Sequence, residues 1–166
     1  GGEDVHPSFY KEPAHPRNEN KSPTVSYRDL VEWELMREAY QRNIPIIGVC
    51  RGAQLLCAYA GGKLAQHING HLYPHSVKTY DGKNFEQVSS SHHQMMMPYN
   101  MDKESYSVLA TTNNLLSYDY VGLTKGEKNL VRTNLEPEVV YFKEINAIAI
   151  QSHPEWQRGH LFVDWL

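Results

Sequence analysis

The spacing of apolar residues changes twice between positions 26 and 60, and each change predicts a new element. From Leu30 to Tyr40 apolar side chains recur every three or four residues, which predicts a helix over 26–42. The run from Ile44 to Cys50 is apolar and β-branched, which is typical of a buried parallel strand. Strong helix formers follow over 51–60 and predict a second helix. Helix, strand and helix in succession indicate an α/β domain.

The second half of the chain is richer in strand patterns. Val139–Lys143 and Ala147–Ser152 flank a short turn and predict a hairpin. Weaker strand patterns lie around 87–90, 108–112 and 118–123. We therefore expect an α/β fold with a central, mainly parallel sheet flanked by helices on both faces.

The first part of the chain has a different composition. Residues 6–24 contain four prolines among polar residues, so this segment is expected to form an extended surface loop. The loop character of the first four residues leads us to expect an N-terminally incomplete domain over 1–166.

Composition restricts the class of protein. A chain of 166 residues with 40% hydrophobic residues fits one domain with its own core. The net charge of −3 does not favour nucleic-acid binding, and the lack of a long apolar run does not favour a membrane span. No secretory leader pattern is seen. Cys50 and Cys57, roughly 10 Å apart if they share a helix, are expected to be free thiols, which favours a reducing, cytoplasmic location.

The sharpest chemical feature is the segment Gly48-Val-Cys-Arg-Gly-Ala-Gln54. Cys50 ends the predicted strand, and glycines stand two positions away on either side, as in a nucleophile elbow. The start of the next helix is expected to lower the pKa of the thiol, and the backbone N–H of Arg51 would face a developing oxyanion. The alternative is a structural cysteine buried before a helix.

A second segment strengthens the catalytic interpretation. Ile148 begins an apolar strand that ends at His153, and Glu155 follows two residues later. A cysteine nucleophile needs a base to take its proton, and the base needs a third group to hold it in place. The alternative is a solvated His-Pro-Glu turn, which is less consistent with the cysteine elbow in the same chain.

Other candidate sites are weaker. His92 and His93 belong to a chain with nine histidines, but no short metal-binding motif exists, so no metal site is expected. Cys57 falls inside the second helix and is expected to belong to the core.

Together, these segments resemble the class I glutamine amidotransferase superfamily, and most closely its γ-glutamyl-γ-aminobutyrate hydrolase branch, peptidase family C26. The matching segments are Gly1-Gly-Glu-Asp-Val-His-Pro7, Arg28-Asp29 with Glu32, the cysteine elbow, Gly61-Gly-Lys-Leu64, Gln66-His-Ile68, Ser91-His-His-Gln94 and His153-Pro-Glu-Trp156.

The resemblance implies the flavodoxin-like fold of class I glutamine amidotransferases, without its first elements. It further implies a triad of Cys50, His153 and Glu155, and an oxyanion hole formed by the Gly1–Gly2 loop, through Gly2, and by Arg51. The residues that would hold the glutamyl group are Gln54, Ser91, His92 and His93.

The activity that the resemblance implies is hydrolysis of γ-glutamyl amides through a thioester, without a cofactor. The expected partners are a small-molecule γ-glutamyl substrate and, in a homo-oligomer, further copies of the chain. Two alternatives stay open: a glutaminase domain that supplies ammonia to a synthetase, and a catalytically silent binding protein with the same fold.

Overall fold

The computed structural model describes residues 2–20, 22–156 and 161–166. Within these ranges the helices are α1 (Tyr27–Gln41), α2 (Arg51–Tyr59), α3 (Lys125–Asn134) and α4 (Leu161–Trp165). The strands are β1 (Ile46–Val49), β2 (Lys63–Ala65), β3 (His67–Ile68), β4 (His75–Thr79), β5 (Asn84–Val88), β6 (Met95–Met97), β7 (Tyr106–Thr112), β8 (Tyr120–Val121), β9 (Pro137–Phe142) and β10 (Ala147–Ile150). Every described helix is too short or too polar to cross a lipid bilayer.

A six-stranded sheet in the order β1-β10-β9-β7-β4-β5 forms the centre of the domain. The α/β class is confirmed, but the sheet is mixed and not mainly parallel. Only β1 and β10 pair in parallel among the described strands, and the other neighbours are antiparallel. Short turns join β4 to β5 and β9 to β10, and these two pairs must be antiparallel because a parallel pair needs a long crossover.

Helices cover both faces of this sheet, as predicted. On one face, Phe142 and Ala149 pack in a core with Leu55 and Leu56 of α2. On the opposite face, Phe162 of α4 packs in a second core that includes the neighbouring strand residues Val139 and Ile150. The alternation of side chains along β9 and β10 therefore separates the two cores.

Helix α1 confirms the first predicted helix. The Ser26 hydroxyl caps it by accepting a hydrogen bond from the Asp29 N–H at 3.0 Å. The Asp29 carboxylate reaches Arg51 at the start of α2, so its charge links the two helices. Trp33 attaches α1 to α2 because its ring packs edge-on against Tyr59, with ring centroids 4.8 Å apart.

Strand β1 corrects the expectation of a fully buried strand. It pairs only with β10 among the described residues, so it forms an edge of the sheet. Ile47 is 68% exposed, whereas Gly48 faces α2 and is buried.

The proline-rich segment 6–24 is also less exposed than expected. It contains a 3₁₀ turn at Pro7–Tyr10, and both Tyr10 and Asn18 are buried. The side chain of Gln66 holds the segment, because its Oε1 accepts hydrogen bonds from the His15 N–H at 2.9 Å and from Asn18 Nδ2 at 3.0 Å. Two polar residues of this segment, His15 and Asn18, thus bond to the buried Gln66.

The second half confirms the β9–β10 hairpin. The weaker patterns correspond to β5, β7 and β8 with shifted boundaries. Helix α3 was not predicted, although the sequence contains its signal: Thr124 and Glu127 form a capping box at its first turn.

Candidate active site

Cys50 lies at the junction between β1 and α2. Its backbone has φ 52° and ψ −107°, a conformation that non-glycine residues rarely adopt. The Cys50 N–H donates to the Ile150 carbonyl at 2.7 Å, which attaches the junction to the neighbouring strand. A strained residue between a strand and a helix is the geometry of a nucleophile elbow.

The two glycines around Cys50 are not equivalent. A Cβ atom on Gly48 would lie 2.6 Å from the Gly52 carbonyl oxygen and 2.5 Å from Leu56 Cδ1. A Cβ atom on Gly52 would meet nothing within 4 Å. The close approach of β1 and α2 therefore requires a glycine at position 48 and not at position 52.

The environment of the Cys50 thiol corrects the expectation of a lowered pKa. Burial raises the pKa of Cys50, and the negative charge of Glu155 adds to this effect. The Arg51 backbone N–H lowers the pKa by a hydrogen bond to the sulfur, but burial is the larger effect. The raised pKa favours the protonated thiol over the thiolate.

A base and its orienting group lie at the end of β10. His153 Nδ1 is 2.7 Å from Glu155 Oε1. Because a carboxylate only accepts, Nδ1 carries the proton and Nε2 is left as the basic nitrogen. The ring of Trp156 stacks on the imidazole with centroids 3.8 Å apart. His153 is therefore held in both tautomer and orientation.

The Glu155 carboxylate remains ionised beside this histidine. Burial acts to raise the pKa of Glu155, but the hydrogen bond and the charge of His153 outweigh it, so the pKa lies below its usual value. An ionised carboxylate stabilises the imidazolium that forms when a base accepts a proton.

The parallel pairing of β1 and β10 places the three predicted triad residues after neighbouring strands. Val49 pairs with Ile150, so Cys50 and His153 follow the same ends of adjacent strands. The main chain of His153 is fixed as well, because its N–H donates to the Ser89 carbonyl at 3.2 Å. Cys50 and the His153–Glu155 pair thus follow the same ends of two neighbouring strands.

A narrow polar cleft opens beside Cys50. It brings together all the other predicted site residues and adds Asp4 and Gln94; the lining residues are Gly2, Asp4, Cys50, Arg51, Gln54, Ser91, His92, His93 and Gln94. Gly1 of the predicted oxyanion loop lies outside the described residues.

The side chain of Arg51 has a role that the sequence did not reveal. It is buried and binds the carboxylates of Asp29 and Glu32, while its Nε donates to the Glu3 carbonyl at 3.0 Å. Gly2 lies close to the side chain of Arg28: a Cβ atom added to Gly2 would lie 2.5 Å from Arg28 Nη1. Arg51 therefore connects α1, the elbow and the loop that carries Gly2.

Three of the four predicted substrate contacts bond to the protein itself. Gln54 Nε2 donates to the Gln94 carbonyl at 2.7 Å, and His92 Nδ1 donates to the same oxygen at 3.0 Å. His93 Nε2 lies 2.8 Å from Asp4 Oδ1, and this contact raises the pKa of His93. These side chains shape the cleft wall, and Ser91 is exposed at its rim.

Gln94 is a further cleft residue that sequence reasoning did not select. Its Oε1 accepts from the Val5 N–H at 3.1 Å, whereas its buried Nε2 has no hydrogen-bond partner in the part of the chain that the structure describes. An unpaired amide donor on a cleft wall can bind a carbonyl or carboxylate oxygen of a ligand.

The second cysteine is confirmed as a free core thiol. Cys57 is fully buried among the α2 core residues, and its Sγ donates weakly to the Lys63 carbonyl at 3.4 Å. Burial raises its pKa to about 12. Both features make Cys57 a poor nucleophile.

Residues 1–155 match the family model of peptidase C26. The chain belongs to the peptidase C26 family. It is 33% identical over 162 residues to Protein NtpR of Enterococcus hirae. The aligned region covers 93% of this chain and 64% of that protein. It is 30% identical to the glutamine amidotransferase-like protein YvdE of Lactococcus lactis, over 96% of this chain and 66% of that protein.

The fold agrees with solved structures of this superfamily. A glutamine amidotransferase from Methylobacillus flagellatus superimposes with a TM-score of 0.51 at 14% identity, over 86% of this chain and 51% of that one. At this identity the likeness shows the class I glutamine amidotransferase fold alone. The chain thus spans about two thirds of the two relatives' length and about half of the solved structure's.

Proposed function

We propose that this C26 family member is a cysteine hydrolase that cleaves γ-glutamyl amide bonds through a γ-glutamyl thioester. The observation that carries the proposal is that the strained Cys50 and the hydrogen-bonded His153–Glu155 pair follow the same ends of two paired strands. The polar cleft next to Cys50 supports a small, polar substrate.

In the first step, His153 Nε2 takes the proton of the Cys50 thiol, which the buried site otherwise keeps protonated. The sulfur attacks the γ-carbonyl carbon of the substrate, and the new C–S bond moves negative charge to the carbonyl oxygen. The backbone N–H groups of Arg51 and Gly2 stabilise this oxyanion. Glu155 stabilises the positively charged imidazole.

In the second step, the C–N bond breaks and the leaving nitrogen takes the proton from His153. A water molecule then gives a proton to His153 Nε2 and attacks the thioester carbon. The C–S bond breaks, glutamate leaves, and the Cys50 sulfur takes back the proton. The net reaction consumes one water and needs no cofactor.

Mass spectrometry with a glutamine-analogue electrophile, 6-diazo-5-oxo-L-norleucine, tests this function. We expect one adduct per chain at Cys50, protection by excess glutamine or γ-glutamyl amide, and no adduct in Cys50→Ala. Cys57→Ala is the matched control and should be labelled as the wild type is. A protein that takes no adduct and hydrolyses no γ-glutamyl amide would be a silent binding protein, and the proposal would be wrong.

A second candidate function is a glutaminase domain that delivers ammonia to a synthetase. The similarity to a protein named glutamine amidotransferase-like favours it. Steady-state kinetics with glutamine and γ-glutamyl-γ-aminobutyrate separate the two. A stand-alone hydrolase should cleave the second substrate without a partner protein, whereas a preference for glutamine with activation by a synthetase would support the glutaminase.

A further inference from the structure

A second group of ionisable side chains is buried behind the cleft. His71 follows β3, His75 begins β4, and Glu138 lies in β9. The three side chains are between 0% and 8% exposed, and one potential ligand atom from each lies within 4.8 Å of the others. Three separate segments of the chain thus converge on one point.

His75 directs its Nε2 atom at this point. Its Nδ1 lies 3.3 Å from the Tyr73 carbonyl oxygen, which can only accept, so Nδ1 carries the proton. Its Nε2 then faces Glu138 Oε1 at 2.9 Å. Two acceptors at this distance repel each other unless a proton or a cation lies with them.

His71 shows a similar arrangement. Its Nε2 lies 3.4 Å from Glu136 Oε2, and its Nδ1 lies 3.7 Å from Glu138 Oε1. Glu136 is anchored by hydrogen bonds from the Ser117 N–H and the Tyr120 hydroxyl. In metal sites, the ligating histidines direct their second nitrogen at a carboxylate or carbonyl in this way.

Several polar atoms in the group lack a hydrogen-bond partner among the described residues. They are Nδ1 of His71, Oε2 of Glu138 and Nε2 of His92, whose ring packs on His71 with centroids 4.6 Å apart. Buried polar atoms without partners are costly, and a shared proton would satisfy only one contact. A bound cation would satisfy the carboxylate and both imidazoles together.

We propose that His71, His75 and Glu138 form a binding site for a divalent transition-metal ion, with Zn²⁺ as the representative. Two imidazole nitrogens and one carboxylate oxygen are a ligand set that zinc accepts, with a fourth position for another ligand. Glu136 and the Tyr73 carbonyl orient the two imidazoles. Because the ligands come from three segments, the ion binds the folded chain and stabilises it.

Zinc binding is tested first on the wild-type protein. The purified protein is treated with a chelator, mixed with Zn²⁺, desalted and measured by elemental mass spectrometry. We expect one Zn²⁺ per chain, a higher Tm than the metal-free protein, and visible absorption bands after Co²⁺ replaces Zn²⁺. Zinc at buffer level after desalting would show that the group shares protons only, and would overturn the proposal.

Variants then locate the ion. Glu138→Gln and His75→Ala should each weaken Zn²⁺ binding by more than about 100-fold. Glu19→Gln is the matched control, because Glu19 belongs to a second, more exposed group with Asp4 and His93. Loss of zinc in Glu19→Gln with retention in Glu138→Gln, or equal binding in all variants, would contradict the proposed site. If a ligand variant does not fold, unchanged zinc stoichiometry in Glu19→Gln still excludes the second group, and its loss there overturns the proposed site.

Discussion

His153 Nδ1 lies 2.7 Å from Glu155 Oε1, and a single proline separates the two residues in the chain. Base and orienting group therefore come from one strand end, and the position of one fixes the other. The nucleophile comes from the neighbouring strand, because Cys50 follows β1, which pairs with β10.

This pairing predicts a hierarchy within the triad. His153→Ala should reduce kcat about as much as Cys50→Ala, because His153 is the proposed carrier of the proton. Glu155→Gln should reduce kcat by about 10²–10³-fold, since it orients the base and is half exposed. The measurement is kcat with a γ-glutamyl amide, and equal losses in all three variants would contradict the role of Glu155.

The two thiols should react at different rates and with a defined pH dependence. Burial raises the pKa of both, but Cys57 is fully buried with a pKa of about 12. Iodoacetamide should therefore modify Cys50 first, as followed by peptide mass spectrometry. Because the thiolate forms only as pH rises towards the raised pKa of Cys50, its alkylation rate should still be increasing above pH 9. A plateau near neutral pH, or equal rates at both cysteines, would contradict this.

The glycines around Cys50 should differ in their tolerance of a methyl group. Gly48→Ala should destabilise the protein by about 1–3 kcal/mol or more, because its Cβ would overlap the Gly52 carbonyl and Leu56. Gly52→Ala is the matched control in the same segment. It should be neutral or stabilising by up to about 1 kcal/mol, since its Cβ would lie in open space within α2. Urea unfolding measures the free energy of unfolding of both variants. A larger loss in Gly52→Ala than in Gly48→Ala would contradict the close contact between β1 and α2 at Gly48.

The buried ion pairs of Arg51 should be important for stability. Arg51→Met leaves the carboxylate of Asp29 buried without its cation and should cost about 3–5 kcal/mol in the free energy of unfolding. The double variant Arg51→Met, Asp29→Asn should recover part of this loss. Arg37→Met removes an exposed pair with Glu34 and is the control, for which we expect no measurable change. An equally small effect at Arg51 would show that its side chain does not hold the Gly2 loop.

The local elements and the candidate chemistry could be read from the sequence. The helical spacing after Leu30 and the Ser26 cap act within a few residues, so α1 was predicted almost to its ends. The apolar run before Cys50 and the helix formers after it define a strand-to-helix junction by local preference alone. The family resemblance added the expected relation of this junction to His153, a hundred residues away.

The order of the strands and the surroundings of each side chain depended on the tertiary structure. The apolar pattern of β1 does not tell an edge strand from a central one, so the exposure of Ile47 could not be predicted. The helix start favours the Cys50 thiolate, but the tertiary burial of the thiol outweighs it.

Contacts between residues far apart in the sequence explain the other features that the sequence did not predict. Arg51 meets Asp29 from another helix, and Glu138 meets His71 and His75 from other segments of the chain. No spacing in the sequence encodes these contacts, because they exist only when distant segments pack together. The sequence thus determined which groups could react, and the fold decided which charges and hydrogen bonds surround them.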